Sequence, residues 1–229
     1  MKRIQKFLSE QGICSRREAE ELILSGDILI NNKKVVLGCK VDGTEEITIK
    51  GETVITKTPK KIVLAFHKPK GIESTLKNEL GGKTLANFDF GQRVFPIGRL
   101  DKDSRGLLLL TNDGDLGNKL AHPRYQHEKE YLVTVDKKIN SSTTKHLGSG
   151  KIRIDEKNVL TCEVEQITEK TFSIILKEGK NRQIRKMCEA CDLQVKDLIR
   201  IRIGNINLDE IKPGKFRVLS AIELKKISC

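Results

Sequence analysis

Between residues 62 and 204 the chain switches repeatedly and irregularly between short strand-like and short helix-like runs. This order constrains its fold more than any other feature. The strand-like runs are IVLAFHK (62–68), RVFPIG (93–98), GLLLLT (106–111), EYLVTV (130–135), CEVEQI (162–167), FSIILK (172–177) and LIRIRIG (198–204). Helical patterns fall at 115–121, 141–148 and 181–190. The strands alternate apolar and polar positions, as strands with one wet face do. A doubly wound sheet would need a regular strand–helix order. The irregular order predicts an α+β domain with a mixed, largely antiparallel sheet. No internal repeat or low-complexity tail interrupts it.

The first 50 residues read as a separate small module. Ile4, Phe7 and Leu8 form one apolar stripe, and Gly12 closes that helix. Ser15-Arg-Arg-Glu18 is a capping box: Ser15 can accept from the N3 amide while Glu18 reaches back. The helix it starts buries Ala19, Leu22 and Ile23 and stops at Gly26. ILIN, an Asn31-Asn32 turn, KKVV and EITIK then supply short β elements. The result is a helical hairpin carrying Lys2, Arg3, Lys6, Arg16 and Arg17, followed by a small sheet. GETVITKTPKK (51–61) reads as a strand end and linker, so the expected division is 1–58 and 59–229.

Charge points to a polyanionic partner. The net charge is +12, and clustered Lys and Arg gain affinity by releasing phosphate counterions. A basic surface can also be inert, but five basic residues lie within the first 17 positions, beside two short helices. No run approaches the roughly 20 apolar residues that span a bilayer. The start, MKRIQKFLSEQG, lacks an apolar signal region, and a basic amphipathic membrane helix is not evident. The expected location is the cytoplasm, with no membrane partner. Cys14, Cys39, Cys162, Cys188, Cys191 and Cys229 read as free thiols. Cys188-x-x-Cys191 lacks a second ligand pair, and His67, His122, His127 and His146 form no chelating pair. No metal site is expected.

The chemistry concentrates in RVFPIGRLDKDSRGLLLLTNDG (93–114). One apolar strand ends at Ile97, another begins at Leu107, and a polar hinge holding Arg99, Asp101, Asp103, Ser104 and Gly106 joins them. A carboxylate at such a junction is well placed to act on a ligand. The same pattern also describes an ordinary loop whose aspartates cap backbone amides. Arg200 and Arg202, two apart in LIRIRIG, share one strand face by alternation, as a phosphate-contacting stripe or as the wet side of a sheet.

The hinge resembles the central motif of the pseudouridine synthases, G-R-L-D-x-D-[ST]-x-G-L, in its RsuA-type branch. Asp101 stands at the nucleophile's position, and Ser104 and Gly106 match the hydroxyl and the glycine, whereas Asp103 reads as support for the loop. Three further segments match in order. His67-Lys68-Pro69-Lys70-Gly71 resembles N-K-P-x-G, with His67 replacing the usual Asn. Lys129-Glu130-Tyr131 resembles the K-x-Y element, whose tyrosine packs against the target base. Glu178–Met187 resembles E-G-x-x-x-Q-[IVL]-[RK]-[RK]-M, with Arg185 at the position that pairs with the catalytic aspartate. Residues 1 to about 50 resemble the S4 RNA-binding domain, and RVFPIGRLDKDS…HEKEYLVTVDK is most similar to the RluF-like group acting on large-subunit rRNA.

The resemblance implies a pseudouridine synthase fold behind an S4-like α/β module, and rRNA as partner. The large subunit is favoured, with the small subunit and tRNA left open. It implies Asp101, Tyr131 and Arg185 as catalytic residues, and Ile184 as the pocket floor. Leu100, Arg182 and Gln183 are further RNA contacts, and Arg99 and Lys102 are phosphate contacts beside the nucleophile. The basic hairpin would grip structured RNA. The isomerisation breaks C1′–N1, turns the uracil and rejoins it through C5, so no cofactor is expected. Attack at C1′, attack at C6 and a glycal route all remain open. The target base must be flipped out of its stack. A monomer is expected, without the long basic C-terminal tail of some relatives. Two other readings compete. A binding protein without chemistry fits poorly with an intact Asp101, Tyr131 and Arg185. A methyltransferase would need a glycine-rich strand-to-helix turn, and Gly81-Gly82 and Gly148-Ser149-Gly150 lack that context.

Overall fold

The computed structural model describes residues 1–55, 59–77, 81–122, 125 and 127–228. Part of the expected linker and Cys229 therefore lie outside the described residues. The rest falls into two compact units. One comprises Met1–Lys61 with Gly91–Arg93 and Asn112–Gly114, and the other comprises Ile62–Phe90, Val94–Thr111 and Asp115–Cys229.

In the first unit the elements run β1 (Lys2–Arg3), α1 (Ile4–Glu10), α2 (Arg16–Leu24), β2 (Ile28–Ile30), β3 (Lys33–Lys34), β4 (Lys40–Val41), β5 (Ile47–Ile49) and β6 (Glu52–Thr53). The capping box forms as the sequence predicts, Ser15 Oγ accepting from the Glu18 amide and Glu18 from the Ser15 amide, both at 3.1 Å. Both asparagines of the Asn31-Asn32 turn have positive φ, as a tight hairpin between right-twisted strands requires. Ile4, Phe7, Leu8, Ala19, Ile23, Ile28, Val41 and Ile47 close one core. Lys2 and Arg3 belong to β1 rather than to the hairpin's helices, and β1 pairs with β4. Lys2, Arg3, Arg16 and Arg17 are exposed and Lys6 is half-buried. Glu10 lies 2.7 Å from Lys2 and 3.6 Å from Lys6.

The second unit contains β7 (Val63–Lys68), β8 (Phe95–Ile97), β9 (Arg105–Thr111), α3 (Gly114–Ala121), β10 (Lys129–Val135), α4 (Ser141–Gly148), β11 (Arg153–Ile154), β12 (Lys157–Asn158), β13 (Glu163–Thr168), β14 (Thr171–Leu176), α5 (Gln183–Glu189), β15 (Val195–Ile203), β16 (Ile206–Asn207), β17 (Phe216–Val218) and α6 (Ala221–Ser228). Among the described residues its main sheet has the order β13-β14-β10-β15-β9-β7-β17, with β16 beside β15 and β8 beside β9. Only the β9–β15 pairing in this sheet is parallel. The α+β class with a mixed, largely antiparallel sheet is therefore the observed one.

The leucine run of β9 is covered on both faces. Leu107 and Leu109 pack with Val63, Ala65, Leu120 and Ile227 on one side. Leu108 and Leu110 pack with Leu64, Phe66, Phe90 and Leu100 on the other. A third core, around Val133, Phe172, Ile174, Met187 and Leu198, seats α4 and α5 against the far half of the sheet. No described helix is long and apolar enough to cross a membrane.

Two features of this sheet carry predictions. Gly106 has φ +108, and a Cβ there would stand 2.3 Å from the Arg200 carbonyl oxygen, so only glycine lets β9 lie against β15 at this point. Gly106→Ala should cost about 3 kcal/mol or more, read as a lowered urea midpoint at unchanged slope; a loss within experimental error would contradict the close approach. Lys68 is fully buried at the end of β7, and its ammonium donates to the carbonyls of Pro69 and Ile72 at 3.0 and 2.7 Å. Burial pushes its amine down to about 8, against the pull of Asp101 and Asp103, and Arg200 adds to the lowering. Between pH about 8 and 10.5 the unfolded chain therefore holds more of this proton than the folded one, so stability should rise with pH across that window. Wild type should gain on Lys68→Met from pH 8 to 10.5 in parallel urea titrations, and a constant gap would contradict the shift.

Candidate active site

Strand β8 ends at Ile97, Gly98 turns at φ +73, and the chain reaches β9 at Arg105. The backbone of this loop is pinned at several points. The Leu100 amide and carbonyl both bond Ser74 Oγ, at 3.1 and 2.7 Å. The Lys102 carbonyl accepts from the Gly71 amide at 2.7 Å, and the Ser104 amide donates to the Asp101 carbonyl at 3.1 Å. Leu100 is buried in the core beneath. Arg105 forks onto Asp197, with Nη2 2.7 Å from Oδ2, and so ties the loop's exit to the parallel neighbour β15. A loop tied by backbone bonds and a buried anchor holds its side chains in one geometry.

Asp101 projects from this loop into a cavity of about 630 Å³. Arg99, Leu100, Tyr131, Arg182, Gln183, Ile184 and Arg185 share its wall, so the structure brings together the main residues that the motifs single out. Tyr131 stands on β10, half-buried, and packs against two of the cores. Ile184, at the start of α5, is 4% exposed and forms apolar wall.

Three placements differ from expectation. Arg185 meets Asp103 rather than Asp101: its Nη2 donates to the Asp103 carbonyl at 3.1 Å and lies 3.2 Å from the carboxylate and 3.4 Å from Ser104 Oγ. Arg182, with φ +51 ahead of α5, grips the same carboxylate at 3.1 Å. Burial would raise the Asp103 carboxyl, but the bond from Arg182 and the charge of Arg185 outweigh it and hold the group below its ordinary value. Asp103 is thus the loop's ionic anchor, and no side-chain ion pair or hydrogen bond reaches the Asp101 carboxylate among the described residues.

Lys102 is the second difference. It is exposed, pairs with Glu73 at 2.9 Å, and does not belong to the cavity wall. Its side chain follows the outer edge of the loop, where a carboxylate is nearer than the pocket. The third is the Arg200/Arg202 pair. On β15, Arg200 faces Tyr131 while Arg202 faces Glu130, because the register shifts between those two positions. Consecutive residues of β10 point to opposite faces, so this bulge sends the two arginines apart. Arg202 binds Glu130 at 2.6 Å and Glu128 at 3.2 Å, whereas Arg200 is 3% exposed and lines the cavity. Neither a phosphate stripe nor a wet sheet face results.

Gln183 reaches the wall with its amide already engaged, donating to Glu178 at 2.7 Å and accepting from the Lys180 amide at 3.0 Å. It shapes the 178–183 turn. Residues that the motif reading left without a role also meet here. His122, His127 and Lys129 line the cavity, and the Lys129 ammonium donates to the His127 carbonyl. Burial, then Lys129 and Lys119, lower the His127 imidazole. His67, at the position where the motif has Asn, is buried, and its Nδ1 lies 2.6 Å from the Ile211 carbonyl, outside the cavity wall. Cys188 sits in the core with its thiol pushed up to about 12 by burial. Among the described residues no cluster of His, Cys, Asp or Glu could hold a metal ion.

Comparison with known proteins identifies the family. Residues 62–190 match the family model described as RNA pseudouridylate synthase, and residues 2–47 match the S4 domain. The chain is 41% identical to the dual-specificity RNA pseudouridine synthase RluF of Escherichia coli K12, over 97% of this chain and 77% of that protein. It is 38% identical to the ribosomal large subunit pseudouridine synthase B of Bacillus subtilis 168, over 99% and 96%. A crystal structure described as a pseudouridylate synthase aligns with a TM-score of 0.72 and 26% identity, covering 99% of this chain and all of that one. The chain belongs to the RNA pseudouridine synthases and carries an S4 domain in its N-terminal part.

Proposed function

We propose that this protein converts one uridine of large-subunit ribosomal RNA to pseudouridine, with Asp101 as nucleophile. The observation that carries the reading is a single one. A carboxylate on a pinned loop opens into a cavity that also holds an aromatic ring, Tyr131, and an apolar wall, Ile184. The names of the relatives in Escherichia coli and Bacillus subtilis support the substrate class.

Each residue type suits its part. A nucleophilic carboxylate must be ionised and open to the substrate. Asp103, not Asp101, takes the two arginines, so Arg182 and Arg185 act as positioning residues through the loop. The flipped uracil lies between Tyr131 and Ile184, one face on an aromatic ring and the other on an aliphatic side chain. Exposed Arg99 at the mouth holds a neighbouring phosphate. Glycosidic cleavage, rotation and reattachment through C5 conserve every atom of the nucleotide. A single chain and an RNA are therefore sufficient, in the cytoplasm and with no cofactor. The S4 unit, with Lys2, Arg3, Arg16 and Arg17 exposed, supplies affinity for folded RNA, while residues 59–229 do the chemistry.

Purified wild type and Asp101→Asn should be incubated with unmodified transcripts of both rRNAs and tRNA, and pseudouridine mapped by carbodiimide-stop primer extension. Wild type should give one stop on the large-subunit RNA and Asp101→Asn none, while still binding. A stop of equal strength from the mutant would remove Asp101 from the chemistry, and a stop on another RNA would correct the substrate. Replacing Arg16 and Arg17 together by Ala should weaken RNA binding and lower the salt-dependence slope by about 2. The single-turnover rate at saturating RNA should stay as in wild type; a fall in that rate would place these arginines in the chemistry instead.

A further inference from the structure

Arg200 sits deep in the second unit, at 3% exposure, and yet it lines the cavity. Its guanidinium is fixed from behind: Nε donates to the Leu107 carbonyl at 2.7 Å. Its backbone is fixed as well, pressed against Gly106 in the parallel pairing of β15 with β9. On the cavity side its Cζ lies 6.0 Å from the centre of the Tyr131 ring. Neither Nη1 nor Nη2 has an acceptor among the described residues, and Nη2 is buried without one. Arg202, two residues on, has two carboxylates; Arg200 has no ion-pair partner among the described residues.

A permanently charged group held out of water with a terminal nitrogen left without an acceptor is costly. Such a group is retained where a negative charge arrives or develops beside it. Burial is the main cause of the lowered Lys68 and Lys129 amines, and the charge of Arg200 lowers both further. Its field therefore reaches both flanks of the site. A backbone phosphate is a poor fit for this partner. Phosphates of a flipped nucleotide stay with the polymer at the mouth, where Arg99 is exposed, while the base enters farthest. The base is also where charge develops. When C1′–N1 breaks, the bonding pair stays on uracil and is shared between N1 and the ring oxygens. If Asp101 instead adds to C6, the displaced pair moves toward C5 and the O4 carbonyl. Both routes place a negative charge on the base beside Tyr131.

We propose that Arg200 is a further catalytic residue, whose guanidinium stabilises the negative charge that develops on the uracil ring while it is detached or activated. The assignment rests on the pseudouridine synthase reading of the cavity. It gives Arg200 no part in proton transfer, because a guanidinium stays protonated throughout. The electron pair returns to carbon when C5 joins C1′, and any bond that Asp101 formed to the nucleotide breaks with its pair returning to the carboxylate. The C5 proton leaves last, to solvent, while N1 takes up one proton.

The test compares wild type, Arg200→Gln and Arg200→Lys on an RNA containing the target uridine and on the same RNA with 5-fluorouridine there. Single-turnover rearrangement is followed by mass spectrometry and chromatography of the released nucleosides, with RNA affinity measured in parallel. Fluorine at C5 withdraws electrons and makes the base anion less dependent on an external cation. Arg200→Gln should lose about a hundredfold or more in rate on uridine, clearly less on fluorouridine, and no more than about twofold in RNA affinity. Arg200→Lys should fall between the two proteins. Circular dichroism and a thermal melt establish that each variant is folded; if Arg200→Gln is not, the comparison of the two substrates is made with Arg200→Lys. Equal losses on both substrates at unchanged affinity would overturn the proposal in favour of a positioning role. A lost affinity with a reduced salt slope would overturn it in favour of a phosphate contact. Full activity of Arg200→Gln would also overturn it. If wild type forms no pseudouridine on any RNA, the underlying reading fails, and wild-type activity alone separates that outcome from the others.

Discussion

The close approach of β9 to β15 at Gly106 is the constraint on which the rest of the catalytic unit depends. Two strands run parallel there, with the backbone of Arg200 where a side chain at 106 would have to be. The contact joins the half of the sheet built on β7 and β9 to the half built on β10, β14 and β13. It also sets the depth of the cavity. The hinge that carries Asp101 leads directly into β9, and the strand that carries Arg200 forms the back wall. A glycine costs backbone entropy in a strand interior, and here that cost is offset by a close packing that no other residue permits.

Around this contact the charges form a graded set. Asp103 takes Arg182 and Arg185, and Asp197 takes Arg105, so the carboxylates that hold the loop are each bound by guanidinium groups. Asp101 is left to face the cavity. Lys68 and Arg200 lie farther in, both buried; Asp101 and Asp103 draw the Lys68 amine up, while burial and the charge of Arg200 push it down. The carboxylates that hold the loop are bound by arginines, and that of Asp101, the proposed nucleophile, is not. That is how a site can hold several acids within one short loop and give them different work.

Much of this was legible in the sequence because the signals are local. The capping box at Ser15 and Glu18, the Asn31-Asn32 turn and helices α3, α4 and α5 depend on residues within a few positions of one another, and the structure has them where the pattern puts them. Strand β17 and helix α6 are missing from the sequence reading, although α6 carries the same local mark as α2, a capping box in which Ser220 Oγ accepts from the Glu223 amide and Glu223 from the Ser220 amide. Phe216–Val218 is short and partly exposed, and it becomes a strand only because it pairs with β7. The partner of Arg185 was misread for a related reason. The motif resemblance places Arg185 against the aspartate that follows Gly-Arg-Leu, but Asp101 and Asp103 lie two apart on an irregular loop. Which of them meets a given arginine depends on the fold of both segments.

The sequence by itself determined the class of the sheet, the N-terminal module, the family and several of the residues that meet at the cavity, Asp101, Tyr131 and Arg185 among them, because each is written in short-range pattern. Tertiary structure alone decided the rest. It turned Lys102 outward onto Glu73, and it gave Asp103 the arginines. Through one shift of register it sent Arg200 inward and Arg202 to a pair of glutamates. A β-bulge inverts the facing of every residue beyond it and leaves no mark in an alternating sequence. The position of a buried cation is therefore set by pairing between distant strands, which a linear pattern does not record.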